Sequence, residues 1–238
     1  MKKSLYSAVA ATVLFCASAS ARDASQIIKA VDDNLTFDEG VMKAKMIDKK
    51  AGGAAKEFDM EIRFKKGTGT LMEFTAPARE RGKKVLLAGD NMWMYVPGLS
   101  RPVRLSGRDS FMGTSFSNRD LMDYEMDNDY VSTVLSENDS EYKIELKATN
   151  KNVSYPRILM WVDKSRLLPT KQELYTVSGN LIKTMTFSDV KDFDGKARPS
   201  LMTISDVLTA GSETRVIISR MSSEKIPAAT FSPQNLAR

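Results

Sequence analysis

The side chains that most enzymes use for nucleophilic, acid–base or metal chemistry are scarce in this sequence. It contains no histidine and a single cysteine, Cys16. The usual zinc sites and the Ser-His and Cys-His catalytic pairs need the missing side chains. Aspartates and glutamates are numerous, but no pair has a spacing that marks it as a general acid and base. The sequence therefore predicts no catalytic residue, no metal site and no cofactor.

Methionine and aromatic residues offer a different chemistry, which is apolar contact. The chain has 14 methionines, many at alternating positions. Flexible thioether side chains adapt to irregular shapes and to more than one ligand, although each methionine is equally suited to an ordinary core. Together they favour a hydrophobic cavity that binds a ligand. The candidate lining residues are Phe58, Met60, Met72, Phe74, Met92, Trp93, Met94, Tyr95, Phe111, Met112 and Phe116.

The loop over residues 106–116 carries three of these apolar side chains, Phe111, Met112 and Phe116. Connections on a protein surface normally avoid large apolar residues, so this loop covers an apolar interior. Its glycines favour a gate that closes over cargo and opens again. The alternative is a static plug that completes the core. Directly after it, Ser117 and Asp120 predict a capping box that opens a helix.

Charge is unevenly distributed along the chain. Residues 79–108 contain seven arginines and lysines against two acidic residues, whereas residues 120–145 contain nine acidic residues. A net charge of +5 is too balanced to indicate nucleic-acid binding. Solvated strand faces explain both runs. The alternative is a basic rim that makes transient contact with anionic membrane headgroups or with an acidic partner.

The N-terminus predicts export. Residues 1–21 combine a basic start, an apolar run over residues 5–16 and a small-x-small ending, as in a cleavable signal peptide. Cleavage before Arg22 removes Cys16, and with it any disulfide or thiolate ligand. The bulky residue before Cys16 argues against lipidation. No linker divides residues 22–238, so we expect one domain there.

Periodicity predicts one amphipathic helix followed by strands. Asp23 is positioned to cap a helix whose apolar face carries Ile27, Ile28, Val31 and Leu35. The strands begin with the alternation of Phe58, Met60, Ile62 and Phe64. Tight turns separate roughly eleven to thirteen strands, which predicts an antiparallel sheet curled into a barrel or sandwich. Helices at the breaks in the strand run suggest a barrel that is open on one side.

Several motifs in this order resemble the outer-membrane lipoprotein-sorting protein family, a branch of the LolA-like superfamily. They are GKKVLL at 82–87, WMYVP at 93–97, FMGTSF at 111–116, WVDK at 161–164, LP at 168–169 and IP at 226–227. The resemblance spans essentially all of residues 22–238. It implies a mainly β fold, a half-open antiparallel β-barrel covered by a helical lid.

The resemblance also implies a function. Such proteins are periplasmic carriers, or chaperones, of Gram-negative bacteria that bind lipid or lipoprotein acyl chains for transfer towards the outer membrane. The implied partners are those acyl chains and an inner-membrane RND-type exporter or a lipoprotein-release complex. The alternative on the same fold is a periplasmic protein-binding sensor or RND-exporter accessory module. The arginine with which such carriers hand over cargo has no clear match, since Lys43 and Lys45 occupy that region.

Overall fold

The computed structural model describes residues 23–107, 109–121, 126–149 and 153–237, so the predicted signal peptide lies outside the described residues. The strands and helices are α1 (Ala24–Leu35), β1 (Glu39–Lys49), β2 (Lys56–Lys65), β3 (Gly69–Ala76), β4 (Lys84–Ala88), β5 (Asn91–Tyr95), β6 (Val103–Leu105), α2 (Met126–Asp129), β7 (Tyr130–Glu137), β8 (Glu141–Ala148), β9 (Arg157–Asp163), β10 (Leu168–Tyr175), β11 (Leu181–Phe193), β12 (Lys196–Asp206) and β13 (Glu213–Ser223). Short 3-10 turns occupy Phe111–Gly113, Asn118–Leu121, Ala228–Phe231 and Pro233–Asn235.

All the strands belong to one antiparallel sheet. Its spatial order is β6-β5-β4-β3-β2-β1-β13-β12-β11-β10-β9-β8-β7. Neighbours in the sheet are also neighbours in the sequence, except where β1 pairs with β13. Because β6 and β7 lie at opposite edges, the sheet is open. The expected mainly β, antiparallel architecture of eleven to thirteen strands is confirmed.

The alternation of side chains explains most of these strands. In β2, Phe58, Met60 and Ile62 are buried and the intervening charged residues are partly exposed. Strand β1 departs from this rule and was not predicted as a strand. Its buried positions hold Gly40, Ala44, Met46 and Asp48. Only one of these four is a large apolar residue, so the strand lacks a visible apolar periodicity.

Helix α1 covers part of the inner face of the sheet, which we define as the face that carries Phe58, Met60 and Phe74. Its buried residues are Ala24, Ile27, Ile28 and Val31, and they belong to the same apolar core as the inner face. The helix contacts α2 and strands β7, β10 and β12. Asp23 occupies the N-cap position, but its side chain makes no capping hydrogen bond, so that part of the prediction was wrong.

The connection from β6 to β7 also crosses the inner face, since it must link the two opposite edges of the sheet. Phe111, Phe116 and Met126 from this connection are buried in the main core. The C-terminal segment covers the outer face instead, where Ile226, Phe231 and Leu236 pack with Leu71 and Leu86. Among the residues described, no helix has the length and apolarity needed to span a membrane.

Candidate functional site

Nine of the eleven predicted cavity residues come together on the inner face. Seven are buried in the main core: Phe58, Met60, Met72, Phe74, Met92, Phe111 and Phe116. Met94 and Met112 are partly buried against it. Trp93 and Tyr95 lie on the outer face in the cluster formed with the C-terminal segment. Successive side chains of a strand point to opposite faces, so residues 92–95 cannot all line one cavity.

Three phenylalanines connect the loop to the sheet. The ring of Phe58 meets Phe74 edge-on with a centroid distance of 5.9 Å. Phe111 of the loop stacks on Phe74 at 6.3 Å. All three rings are almost fully buried. The loop therefore closes tightly over β2 and β3 in this structure, with an aromatic contact of favourable geometry.

Methionines make up much of this apolar interior. Seven methionines are buried in the main core: Met46, Met60, Met72, Met92, Met126, Met160 and Met185. Four more pack at its border: Met42, Met94, Met112 and Met202. Because these side chains change rotamer easily, the interior can adapt its shape at low cost.

Helix α1 is attached to the protein mainly by its apolar face. Its described side-chain hydrogen bonds to other elements all come from the last turn. The amide of Asn34 donates to the carbonyl oxygens of Arg166 and Leu167, at 3.0 and 3.2 Å. The carboxylate of Asp32 accepts from the backbone N–H of Asp127 at 3.0 Å. The C-terminal end of the helix is thus fixed by polar contacts, while the first two turns rely on apolar packing.

The loop, in contrast, is attached by buried polar groups. The backbone N–H of Ser115 donates to the Thr214 hydroxyl at 2.9 Å. That hydroxyl donates in turn to the carboxylate of Asp48 at 2.7 Å. Asp48 and Thr214 are both at most 1% exposed. This chain of hydrogen bonds ties the loop to β1 and β13.

A second polar anchor lies at Asp120. The predicted capping box is present, since the N–H of Ser117 donates to the Asp120 carboxylate at 2.7 Å and the N–H of Asp120 donates to the Ser117 hydroxyl at 3.3 Å. The same carboxylate accepts from the Lys183 ammonium and the Tyr155 hydroxyl, both at 2.6 Å. Its side chain is only 3% exposed. Opening the loop would separate these desolvated charges, so the contacts favour the static plug over the gate.

Many of the charged residues noted in the sequence pair with neighbouring charges. Lys83 contacts Glu80 at 2.6 Å in the β3–β4 connection, and Glu145 of β8 accepts from Arg157 of β9 at 2.7 Å. The hydrogen bond from Arg157 is the main reason that the pKa of Glu145 lies below its usual value. A solvated turn and a solvated strand face account for these pairs. Arg79 and Arg101 remain exposed.

Comparison with known proteins identifies the fold. A family model described as that of an uncharacterized protein matches residues 66–238. A LolA superfamily protein from Nitrosomonas europaea has a crystal structure that superposes with a TM-score of 0.77 and 27% identity, over 89% of this chain and 98% of that one. The chain belongs to the family of the matching model, and to the LolA superfamily. The predicted resemblance to lipoprotein-sorting proteins is confirmed.

Two further solved structures have the same fold. A putative outer membrane lipoprotein-sorting protein domain from Vibrio parahaemolyticus superposes with a TM-score of 0.79 at 24% identity, over 90% of this chain and 98% of that one. A DUF1329 family protein from Desulfovibrio piger gives 0.79 and 24%, over 90% and 97% of the two chains. A comparison with curated protein sequences finds no match.

Proposed function

We propose that this protein is a periplasmic carrier, or chaperone, that binds lipid or lipoprotein acyl chains for transfer towards the outer membrane. The observation that carries the proposal is a methionine-rich apolar interior covered by a helix whose polar attachments lie at one end. Membership of the LolA superfamily and the similarity to a putative lipoprotein-sorting domain support the same role. No step of it requires a catalytic residue.

The energetics of an acyl chain explain what such a carrier needs. Each buried CH₂ contributes about 0.8 kcal/mol, so a chain of about sixteen carbons exposes on the order of 10 kcal/mol of hydrophobic free energy to water. A carrier has to hide most of this surface and later release it. Apolar contact is non-directional, so an acyl chain can replace apolar side chains against the same wall without leaving polar groups unpaired.

In this proposal α1 is the helical lid. The helix contacts β7, β10 and β12, whose buried inner-face residues include Tyr130, Leu174 and Ile204. Swinging about its fixed C-terminal end, α1 would expose that wall to an acyl chain. The far end of the chain would reach the predicted methionines on β2, β3 and β5, beneath Phe111. Trp93 and Tyr95 are left out of the proposed cavity because they face the other way.

We further propose that residues 1–21 direct export to the periplasm of a Gram-negative bacterium and that residues 22–238 form a single domain. Removal of the leader would leave a chain without any thiol. Intact-mass analysis of the protein purified from a periplasmic extract tests this. The expected mass corresponds to a chain that starts at Arg22, and an acylated Cys16 would contradict it.

A second candidate is a periplasmic protein-binding module, either a sensor or an accessory to an RND-type exporter. It is favoured by the close packing of the interior, where Phe74 and Phe111 are at most 1% exposed. In that case the interior stays closed, and the charged strand faces contact the partner.

Titration with a fluorescent fatty-acyl probe separates the two candidates. The carrier should bind the probe saturably, and Met60→Glu should abolish binding because it places a charge in the apolar wall. Met60→Leu, which keeps the volume and polarity, should bind like the parent. Near-ultraviolet circular dichroism establishes that each variant is folded. Equal binding by a folded Met60→Glu variant, or no binding by the parent, would refute the carrier and favour the protein-binding module.

A further inference from the structure

A mostly polar pocket of about 190 Å³ lies beside the loop and is bordered by Phe116 of the main core. It forms where the ends of four strands meet. Lys50 follows β1, Lys183 faces Asp206 across the β11–β12 pair, and Ser212 precedes β13. Ser115 and Ser117 of the loop complete the wall. The pairing of β1 with β13, of β13 with β12 and of β12 with β11 therefore brings Lys50, Lys183, Asp206 and Ser212 together.

Two hydroxyl groups in this pocket lack a hydrogen-bond partner among the residues that the structure describes. They belong to Ser115 and Ser212, whose exposed fractions are 6% and 4%. A buried hydroxyl normally finds a partner, since burying it unpaired costs free energy. The backbone of Ser115 is held by its bond to Thr214, so its side chain is part of a fixed wall. Their oxygen atoms are enclosed in the wall, so a rotation about χ1 would be needed for either hydroxyl to donate to a ligand in the pocket.

Two ammonium groups line the same pocket. The Lys50 ammonium is 3.6 Å from Asp48, which is an ion-pair distance rather than a hydrogen bond. The Lys183 ammonium uses one N–H for Asp120 and has two more. Asp206 also lines the pocket, and its carboxylate accepts from the N–H of Leu208 at 2.8 Å. Each ammonium group therefore already has one carboxylate partner, and the pocket itself adds the opposing carboxylate of Asp206.

We propose that this pocket binds a compact oxyanion of the phosphoryl class. Lys50 and Lys183 supply positive charge, and the hydroxyls of Ser115 and Ser212 donate to the oxygens, as charge-assisted hydrogen bonds favour. A volume of 190 Å³ equals the space of about six waters, which suits a phosphoryl group with a small substituent. The carboxylate of Asp206 opposes a bare anion and limits its affinity. The ligand is either free phosphate or the phosphoryl headgroup of a lipid.

The site is tested by titrating the folded protein with inorganic phosphate and following ³¹P NMR or calorimetry. We expect saturable binding that weakens about tenfold or more in Lys50→Met, because one charge-assisted bond is lost. Ser212→Ala should weaken it about threefold or more, and Asp206→Asn should tighten it by a similar factor. Lys49→Met is the matched control, since this exposed neighbour does not line the pocket. Thermal unfolding establishes that the variants are folded.

A second titration, with a lysophosphatidic acid, distinguishes the two sources. Binding about tenfold tighter than phosphate, with phosphate as competitor, identifies a lipid headgroup. Equal or weaker binding identifies free phosphate. Absence of saturable phosphate binding, or equal losses in Lys49→Met and Lys50→Met, overturns the proposal. Because phosphate has no acyl chain, the outcome is independent of the carrier proposal, and Lys50→Met should bind the fatty-acyl probe normally.

Discussion

The inner face of the sheet has two covers that are attached in opposite ways. Helix α1 rests on it through Ile27, Ile28 and Val31, and among the described residues its side-chain hydrogen bonds to other elements come from the last turn. The loop rests on it through Phe111 but is also held by the buried carboxylates of Asp48 and Asp120.

The difference separates a removable cover from a permanent one. Apolar contacts have no directional requirement, so another apolar surface can take their place. Buried polar anchors depend on geometry, and separating their partners leaves desolvated groups unpaired. We therefore expect α1 to move when an acyl chain binds and the loop to keep its position.

The largest effect is expected from Phe111→Ala. Removing the ring that stacks on Phe74 leaves a cavity in the packed core, and the free energy of unfolding should fall by about 3–5 kcal/mol. Urea denaturation measures it. Leu135→Ala on the edge strand β7, where the side chain is 48% exposed, should change it by less than about 0.5 kcal/mol. A loss that small for Phe111→Ala as well would mean that the loop is not part of the core.

The two sets of polar anchors can be compared directly. Thr214→Val keeps the shape of the side chain but removes its bonds to Ser115 and Asp48, which should cost about 1–3 kcal/mol because the buried groups lose their partners. Asn34→Ala removes the bonds that fix the end of α1, and the partly exposed site should cost about 0.5–1.5 kcal/mol. The same denaturation experiment gives both values. If Asn34→Ala costs more, the helix is the better anchored cover.

Amide hydrogen exchange should show the same order. The N–H of Phe111 donates to the carbonyl of Phe116 at 2.8 Å inside a buried loop, and it should exchange only through extensive unfolding. The amides of the first two turns of α1 should exchange faster through local opening. Adding the fatty-acyl probe should change protection in α1 and leave residues 110–117 unchanged. A change confined to the loop would restore the gate interpretation.

The smallest effect concerns the contacts of Glu39 at the start of β1, which should weaken in acid. Three residues link the helix to Glu39, whose carboxylate accepts from Lys65 at 2.7 Å, from Lys225 at 2.9 Å and from the N–H of Ile226 at 3.2 Å. The Lys65 hydrogen bond is the largest cause that lowers its pKa from 4.5 to about 2.

A lowered folded-state pKa stabilises the fold above the unfolded value, and the contribution is lost as the pH falls from about 4.5 to about 2. NMR titration of the Glu39 carboxyl carbon should therefore give a midpoint well below 4. The stability of Glu39→Gln should depend less on pH in this window than that of the parent. A Glu39 midpoint at its ordinary value would show that these contacts do not stabilise the ionised carboxylate in the folded protein.

Local patterns in the sequence predicted most of the fold and little of the polar structure. The capping box of Ser117 and Asp120 was predictable because its partners are three residues apart. Strand β1 was missed because Ala44 and Asp48 interrupt its apolar alternation. The partner of Asp48 is Thr214, 166 positions away, and no spacing rule connects them before the sheet forms.

In the candidate site too, local sequence patterns predicted the apolar residues and not the polar ones. Alternation along each strand was enough to place Met60, Met72 and Phe74 on one face. Applying it strictly would also have assigned Trp93 and Tyr95 to the other face. The polar pocket had no signal in the sequence. Lys50, Lys183 and Ser212 become neighbours only when β1 pairs with β13, β13 with β12 and β12 with β11.

That pairing also sets the order in which the protein can be assembled. In the described sheet, β1 and β13 are the only hydrogen-bonded neighbours that are far apart in sequence. Strands β2–β6 can add to one edge of β1 as the chain lengthens. The other edge of β1 stays unpaired until β13 has been synthesised. A chain that emerges from its N-terminus therefore carries an unpaired strand edge through most of its synthesis. Closing this long-range contact is entropically costly, so we expect it to be the slow step of folding and the interval in which the protein is most prone to aggregate.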